Sequence, residues 1–197
     1  MPAIYDKLAA YYDWFFKPLD RRFLAKWRAE ALSMLPRDAE ILEVGAGTGL
    51  NFPFYPPHRT AVASEISFRM LEFAAGRRAP SIRLVQADAH SIPFADNSFD
   101  AAFATLVFCS IPQPEKAFAE LVRCIRPGGS VVLLEHVRPH GVLGPVFDLL
   151  SIVTVATFDD HFNRETARIA ADSGLTVTGV REKAAGAVNL ITCKIEK

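Results

Sequence analysis

The sequence predicts an α/β fold, a doubly wound and mostly parallel seven-stranded sheet with a C-terminal antiparallel hairpin. Three observations lead there. From about residue 40 onward, short apolar runs alternate with segments of helical spacing, which is the pattern of βαβ units. The first apolar run ends directly in a glycine-rich turn, Gly45-Ala46-Gly47-Thr48-Gly49, as a buried parallel strand does when it hands over to a helix. The last two runs have no room between them for a crossover helix, so they must pair antiparallel.

Residues 41–44 and 60–63 make the first two strands. A helix over 67–75 follows, with Met70, Leu71 and Ala74 on one face. Residues 82–85 and 99–104 make the third and fourth strands. A helix over 114–125 buries Ala117, Phe118, Leu121, Val122 and Ile125, and Pro127-Gly128-Gly129 stops it. The fifth strand, 131–134, is purely apolar. A helix over 163–172 closes at Gly174, and 175–180 and 187–195 are the final strands. Residues 1–38 stand apart as a helical lid ahead of a core over 39–197. They hold Tyr5, Tyr11, Tyr12, Trp14, Phe15, Phe16, Phe23 and Trp27 among basic side chains. Two helices broken near Pro18 are expected there, packed over the C-terminal edge of the sheet and the active site.

A chain of 197 residues with half of them hydrophobic suits one soluble domain with a single core. Lysine plus arginine and aspartate plus glutamate number 22 each. That balance argues against nucleic acid as a partner, since phosphate binding needs a basic surplus. Cys109, Cys124 and Cys193 form no C-x-x-C pair and fit a reducing cytoplasm. No signal peptide is read at the N-terminus. The longest apolar stretch, 146–158, is interrupted by Asp148 and falls short of the roughly 20 residues that span a bilayer. Neither a D-x-[DN] motif nor a histidine cluster suggests a metal.

One segment points to a membrane surface. Residues 17–28 hold Lys17, Arg21, Arg22, Lys26 and Arg28 against the single acid Asp20, with Phe15, Phe16, Phe23, Leu24 and Trp27 alongside. A basic amphipathic helix with aromatics can lie on an anionic bilayer, as a peripheral contact on the inner face. An ordinary solvated face over a packed helix is the alternative.

The strongest chemical signal surrounds the glycine turn. Glycines at 45, 47 and 49 remove side chains where backbone turns tightly and approaches a ligand. Twenty residues beyond Gly45, Glu65 ends the second strand, where a carboxylate can accept both ribose hydroxyls of an adenosine. Asp88-Ala89 ends the third strand. The acid suits an exocyclic amine of adenine and the Ala89 amide a ring nitrogen. A dinucleotide fingerprint would read G-x-G-x-x-G, but Leu50 stands at its last glycine.

With these residues in order, the run over 41–137 resembles the class I S-adenosylmethionine-dependent methyltransferases. The resemblance rests on "LEVGAGTG", "ADAHSIPFADNSFD" and "LVRCIRPGGSVVLLEHV". The opening "YDKLAAYYDWFF" is similar to ubiquinone/menaquinone C-methyltransferases and bacterial phospholipid N-methyltransferases. "TLVFCSI" with "LLEHV" looks more like the lipid-associated thiol and phospholipid branch. The resemblance implies a Rossmann-like methyltransferase fold and S-adenosyl-L-methionine as cofactor. It implies cofactor positions at Tyr5, Glu43, Gly45, Ala46, Gly47, Asn51, Glu65, Ile66, Asp88, Ala89, Thr105 and Leu106, with Thr105 and Leu106 at the methionine end. Ala46 departs from the cysteine of many relatives, with little consequence at a backbone position.

Methyl transfer from a sulfonium is an in-line displacement that depends on positioning. A base is needed only when the nucleophile arrives protonated, as an amine does near pH 7. Tyr12, His136 and Asp160 are the candidates, with Glu135, Asp159 and His161 behind them. Capping of the helix after Asn163 is a competing role for residues 159–161, and a structural hydrogen bond is one for His136. The expected reaction is methyl transfer to a small or amphiphilic acceptor, with phosphatidylethanolamine N-methylation first. Thiol S-methylation and quinone-precursor C-methylation are alternatives, ahead of a nicotinamide-dependent reductase or a non-catalytic cofactor-binding module.

Overall fold

In the computed structural model, which describes residues 20–139, 141, 144–145, 147, 149, 151 and 164–197, the apolar runs come together as one seven-stranded sheet. Its strands are β1 (Ala39–Val44), β2 (His58–Glu65), β3 (Ile82–Gln86), β4 (Phe99–Thr105), β5 (Ile125–His136), β6 (Leu175–Lys183) and β7 (Val188–Ile195). Their spatial order is β3-β2-β1-β4-β5-β7-β6. The first five pair in parallel, and β7 runs antiparallel to both β5 and β6.

Helices α1 (Ala25–Leu32), α2 (Phe68–Ala75), α3 (Pro114–Cys124) and α4 (Thr166–Asp172) cover the two faces. On one face Leu42, Ala102, Leu133 and Ile191 meet Ala117, Phe118 and Leu121 of α3 and Ala170 of α4. On the other, Ile41, Phe103, Leu134 and Leu190 meet Ala31 and Leu32 of α1, while Ala61 and Ala63 meet Ala74 of α2. Adjacent strand residues point to opposite faces, so continuous apolar strands bury both sides.

Local chemistry sets the helix ends. Ser67 caps α2 by accepting from the Met70 amide at 3.1 Å. Pro114 opens α3, with Glu115 in the first turn and Arg123 in the last. That helix stops at Cys124, one residue earlier than its apolar spacing predicts. Ile125 is already extended and pairs with Phe99, and the Arg126–Pro127 step disfavours helix.

The described part of the N-terminal segment corrects its expected position. It enters α1 through a π-helical turn, Asp20–Leu24. It then lies across a face of the sheet instead of over the C-terminal edge, because Leu24, Ala31, Leu32 and Leu35 are all buried. Arg28 is buried as well, which removes it from any solvated basic face. Arg22, Phe23 and Lys26 remain exposed, with Arg22 over the Phe23 ring at 5.5 Å and Phe23 stacked on Trp27. Residues 1–19, with the expected break near Pro18, lie outside the described residues. Among the described residues, no helix is long and apolar enough to cross a membrane.

Candidate functional site

Strands β1 and β4 are neighbours, yet the chain leaves β1 toward β2 and leaves β4 toward β5. Their C-terminal ends therefore flank the topological switch point, where open α/β sheets hold ligands. The glycine turn follows β1 here. The Gly45 and Ala46 amides both donate to the Ser64 carbonyl at 2.9 Å, which ties the turn to β2. Gly45 has φ +72°, and a Cβ there would lie 2.4 Å from Val107 Cγ2. Glycine is thus required so that the segment after β4 can close against the turn. Gly47, at φ +54°, has no atom of the described residues within 4 Å of where a Cβ would sit. Its backbone faces open space, as close approach of a ligand needs.

Glu65 ends β2 beside this turn. Its carboxylate accepts from the Gly47 amide and the Ser67 amide, each at 2.9 Å. These bonds fix its orientation beside the turn. Ile66 follows, half-buried, with its carbonyl accepting from Gln86 Nε2. Past β3, Asp88 is exposed, and its Oδ1 lies 2.7 Å from His90 Nδ1 and accepts from the His90 amide at 2.9 Å. Ala89 is half-buried beside it. The glycine turn, Glu65 and Asp88-Ala89 thus line up along the C-terminal edges of β1, β2 and β3.

A buried polar network occupies the other side of the switch point. Glu43 on β1 is fully buried. It accepts from Asn51 Nδ2 at 2.5 Å and from the Tyr55 hydroxyl. Asn51 Nδ2 also donates to Thr105 Oγ1 on β4 at 2.9 Å. Burial pushes the Glu43 carboxyl up to about 7 against the opposing hydrogen bonds of Asn51 and Tyr55; the Glu65 charge adds to the rise and Arg28 opposes it. Burial likewise raises the Tyr55 phenol, and the Glu43 charge adds to that. Leu106 leaves β4 with a left-handed φ of 59° and donates its amide to the Leu134 carbonyl at 2.7 Å.

The candidate bases separate. Glu135 is spent on structure: its two carboxylate oxygens accept the amides of Val107, Phe108 and Cys109 at 3.0–3.3 Å. They hold the turn that faces Gly45. His136 is half-buried at the C-terminal end of β5, opposite Val188. Tyr5, Tyr12 and Asp160, with Asp159 and His161, lie outside the described residues. Sequence reasoning missed Tyr55, Val107 and Arg28 as parts of this site. The only signal for Tyr55 was its place four residues after Asn51 in an aromatic run ahead of Pro56-Pro57.

The residues fit an adenosine-bearing cofactor with a charged tail. An open glycine cradle, an oriented carboxylate at the end of β2 and a buried acceptor without a partner among the described residues (Asn51 Oδ1) meet at one edge. Comparison with known proteins agrees. Residues 42–133 match the family model described as a methyltransferase domain. The chain is 34% identical over 157 residues to a phosphatidylethanolamine N-methyltransferase of Cereibacter sphaeroides, covering 76% of each. It is 35% identical over 147 residues to a demethylmenaquinone methyltransferase of Renibacterium salmoninarum, covering 73% of this chain but 60% of that relative's length. A thiol S-methyltransferase of Homo sapiens is 37% identical over 108 residues, 51% of this chain and 44% of the relative. A Thermotoga maritima structure described as an S-adenosylmethionine-dependent methyltransferase shares the fold, with a TM-score of 0.75 at 22% identity over 98% of both chains.

Proposed function

The chain belongs to the class I S-adenosylmethionine-dependent methyltransferases, and from that premise we propose that it methylates an amphiphilic acceptor, first the amine of a phosphatidylethanolamine headgroup. The observation that carries the methyl-transfer reading is the meeting of an open glycine cradle with the oriented Glu65 carboxylate at one switch point. S-adenosylmethionine supplies, when bound, a methyl group on a sulfonium that a nucleophile displaces in line.

The chain's own work is positioning. Glu65 receives the ribose hydroxyls, and Asp88 with Ala89 receives adenine. Glu43, Asn51 and Thr105 sit at the methionine end, and the turn after β4, held by Glu135, closes beside them. An amine nucleophile must shed a proton. His136 at the end of β5 is the described group proposed to take it, alongside Tyr12 and Asp160. Two observations favour the lipid headgroup: the 76% coverage of both chains with the phosphatidylethanolamine relative, and the exposed Arg22, Phe23 and Lys26. On this reading the protein works as a peripheral protein at the cytoplasmic face of an anionic membrane.

The test offers isotopically methyl-labelled cofactor with vesicles carrying phosphatidylethanolamine, demethylmenaquinone and a membrane-soluble thiol together. Label should enter the phospholipid amine, more on anionic vesicles and less as salt rises. Replacing Arg22 and Lys26 by Gln should weaken vesicle binding by roughly 30-fold, at about 1 kcal/mol per basic side chain, and leave S-adenosylhomocysteine affinity unchanged. Label found only in the thiol or the quinone precursor would overturn the headgroup assignment.

A further inference from the structure

Helix α2 turns Met70, Leu71 and Ala74 toward the sheet and leaves Phe68, Arg69, Glu72 and Phe73 on its outer side. Phe68 is 58% exposed and Phe73 42%. An exposed aromatic standing singly needs no explanation, but these two share the outer side of one short helix. The charge around them is one-sided. Over residues 68–83 four exposed arginines, Arg69, Arg77, Arg78 and Arg83, stand against the single acid Glu72, in a chain that carries no net charge. Glu72 is paired with Arg69 at 3.1 Å. Arg78 donates to the Ile82 carbonyl, a neutral oxygen that cancels none of its charge.

This surface shares its side of the molecule with the exposed Phe23. Ile41 and Ala61 stand opposite each other in the β1–β2 register and so point to one face of the sheet. Ile41 is covered by α1 and Ala61 by α2. The two helices therefore form one layer. The three exposed phenylalanines among the described residues, Phe23, Phe68 and Phe73, all stand on it or on the turn that enters it. Basic side chains interleaved with aromatics suit an anionic bilayer, since the cations meet lipid phosphates while the rings enter between headgroups. We propose that the outer side of α2 is a second membrane contact beside Arg22, Phe23 and Lys26, so that the α1–α2 layer rests on an anionic bilayer. The contact is tied to the glycine turn from both ends of α2. The Ser67 amide donates to Glu65 at 2.9 Å, and Arg77 Nη1 donates to the Thr48 carbonyl and hydroxyl at 3.0 and 2.9 Å. Docking α2 therefore orients the turn relative to the lipid surface. The inference rests on the peripheral-membrane part of the proposed function.

The test measures partition of the full chain onto sedimenting vesicles, phosphatidylglycerol mixed with phosphatidylcholine against phosphatidylcholine alone. Wild type should prefer the anionic vesicles. Phe68→Ser with Phe73→Ser should lower that partition about ten-fold, as two partly inserted rings are lost. Arg78→Gln with Arg83→Gln should lower it roughly 30-fold at low salt. Both variants should keep S-adenosylhomocysteine affinity within about two-fold of wild type by calorimetry. Val180→Ser, at an exposed position of the edge strand β6, should change nothing. Unchanged partition in either α2 variant, or an equal loss from Val180→Ser, would overturn the proposal. If the α2 variants do not fold, Phe73→Cys carrying an environment-sensitive fluorophore decides: its emission must shift to the blue on anionic vesicles, and bound protein without that shift refutes the contact. A wild-type chain that ignores anionic vesicles at low salt removes the peripheral-membrane reading and this inference with it, and leaves the methyltransferase assignment standing.

Discussion

Replacing Glu43 by Gln should change how stability depends on pH, in a direction the structure dictates. The Glu43 carboxyl is fully buried and pushed from 4.5 up to about 7, chiefly by burial. In the unfolded chain it ionises near its ordinary value. Between pH 4.5 and 7, therefore, the unfolded state has released this proton while the folded state still holds it. The folded state binds one more proton than the unfolded state, so stability falls as pH rises through this window. At about 1.4 kcal/mol per unit, the shift amounts to about 3 kcal/mol. Below pH 4.5 both states are protonated and the penalty is absent; above pH 7 it is fully present. The glutamine of Glu43→Gln should fill the same volume, with its amide oxygen accepting from Asn51 and its amide N–H donating to the Tyr55 oxygen. The assay is denaturant unfolding of wild type and Glu43→Gln at a series of pH values from 4.5 to 8, both without ligand. The stability difference should move by about 3 kcal/mol in favour of the glutamine variant as pH rises, with most of the change below pH 7. A difference that stays flat would refute the buried, proton-holding role of Glu43.

Two further outcomes test the cradle. Glu65→Ala should weaken S-adenosylhomocysteine binding by roughly 1–3 kcal/mol; it should also lower the ligand-free melting temperature, since Gly47 and Ser67 lose their acceptor. Unchanged calorimetric affinity would remove Glu65 from the ribose. Gly45→Ala should destabilise the chain by about 2–4 kcal/mol in denaturant unfolding, from left-handed strain plus collision with Val107. Adding Val107→Ala should recover the steric part and leave the backbone part, and a double variant no better than Gly45→Ala would deny that contact.

The glycine turn and the strand-end acids were legible because their signals are local. Gly45, Gly47, Glu65 and Asp88 sit within a turn or at a strand end, so once the alternation of strands and helices is read, the sheet aligns them. The resemblance named Glu43, Asn51 and Thr105, but their bonding to one another and the part of Tyr55 were not legible. Glu43 and Thr105 lie on different strands, and only the β1–β4 pairing brings them to the same asparagine. Glu135 misled for the same reason: at the end of a strand an acid reads as a base, yet packing spends it on three backbone amides of a distant turn.

By itself the sequence determined that this chain forms a mostly parallel sheet with a glycine cradle after its first strand. Both features arise from residues close in the chain, through periodicity and backbone freedom. Tertiary structure alone decided the order of the strands and the place of α1. It set β7, apolar on both faces through Val188, Leu190, Ile191 and Cys193, into the interior slot between β5 and β6, and left the alternately exposed β6 at the edge. It also drew Leu24, Ala31 and Leu32 onto a sheet face and buried Arg28 with them. A basic, aromatic helix can meet water, a membrane or a sheet. The unpaired apolar face over β1, β4 and β5 is what settled the matter for α1, since burying both surfaces at once releases more water than exposing either.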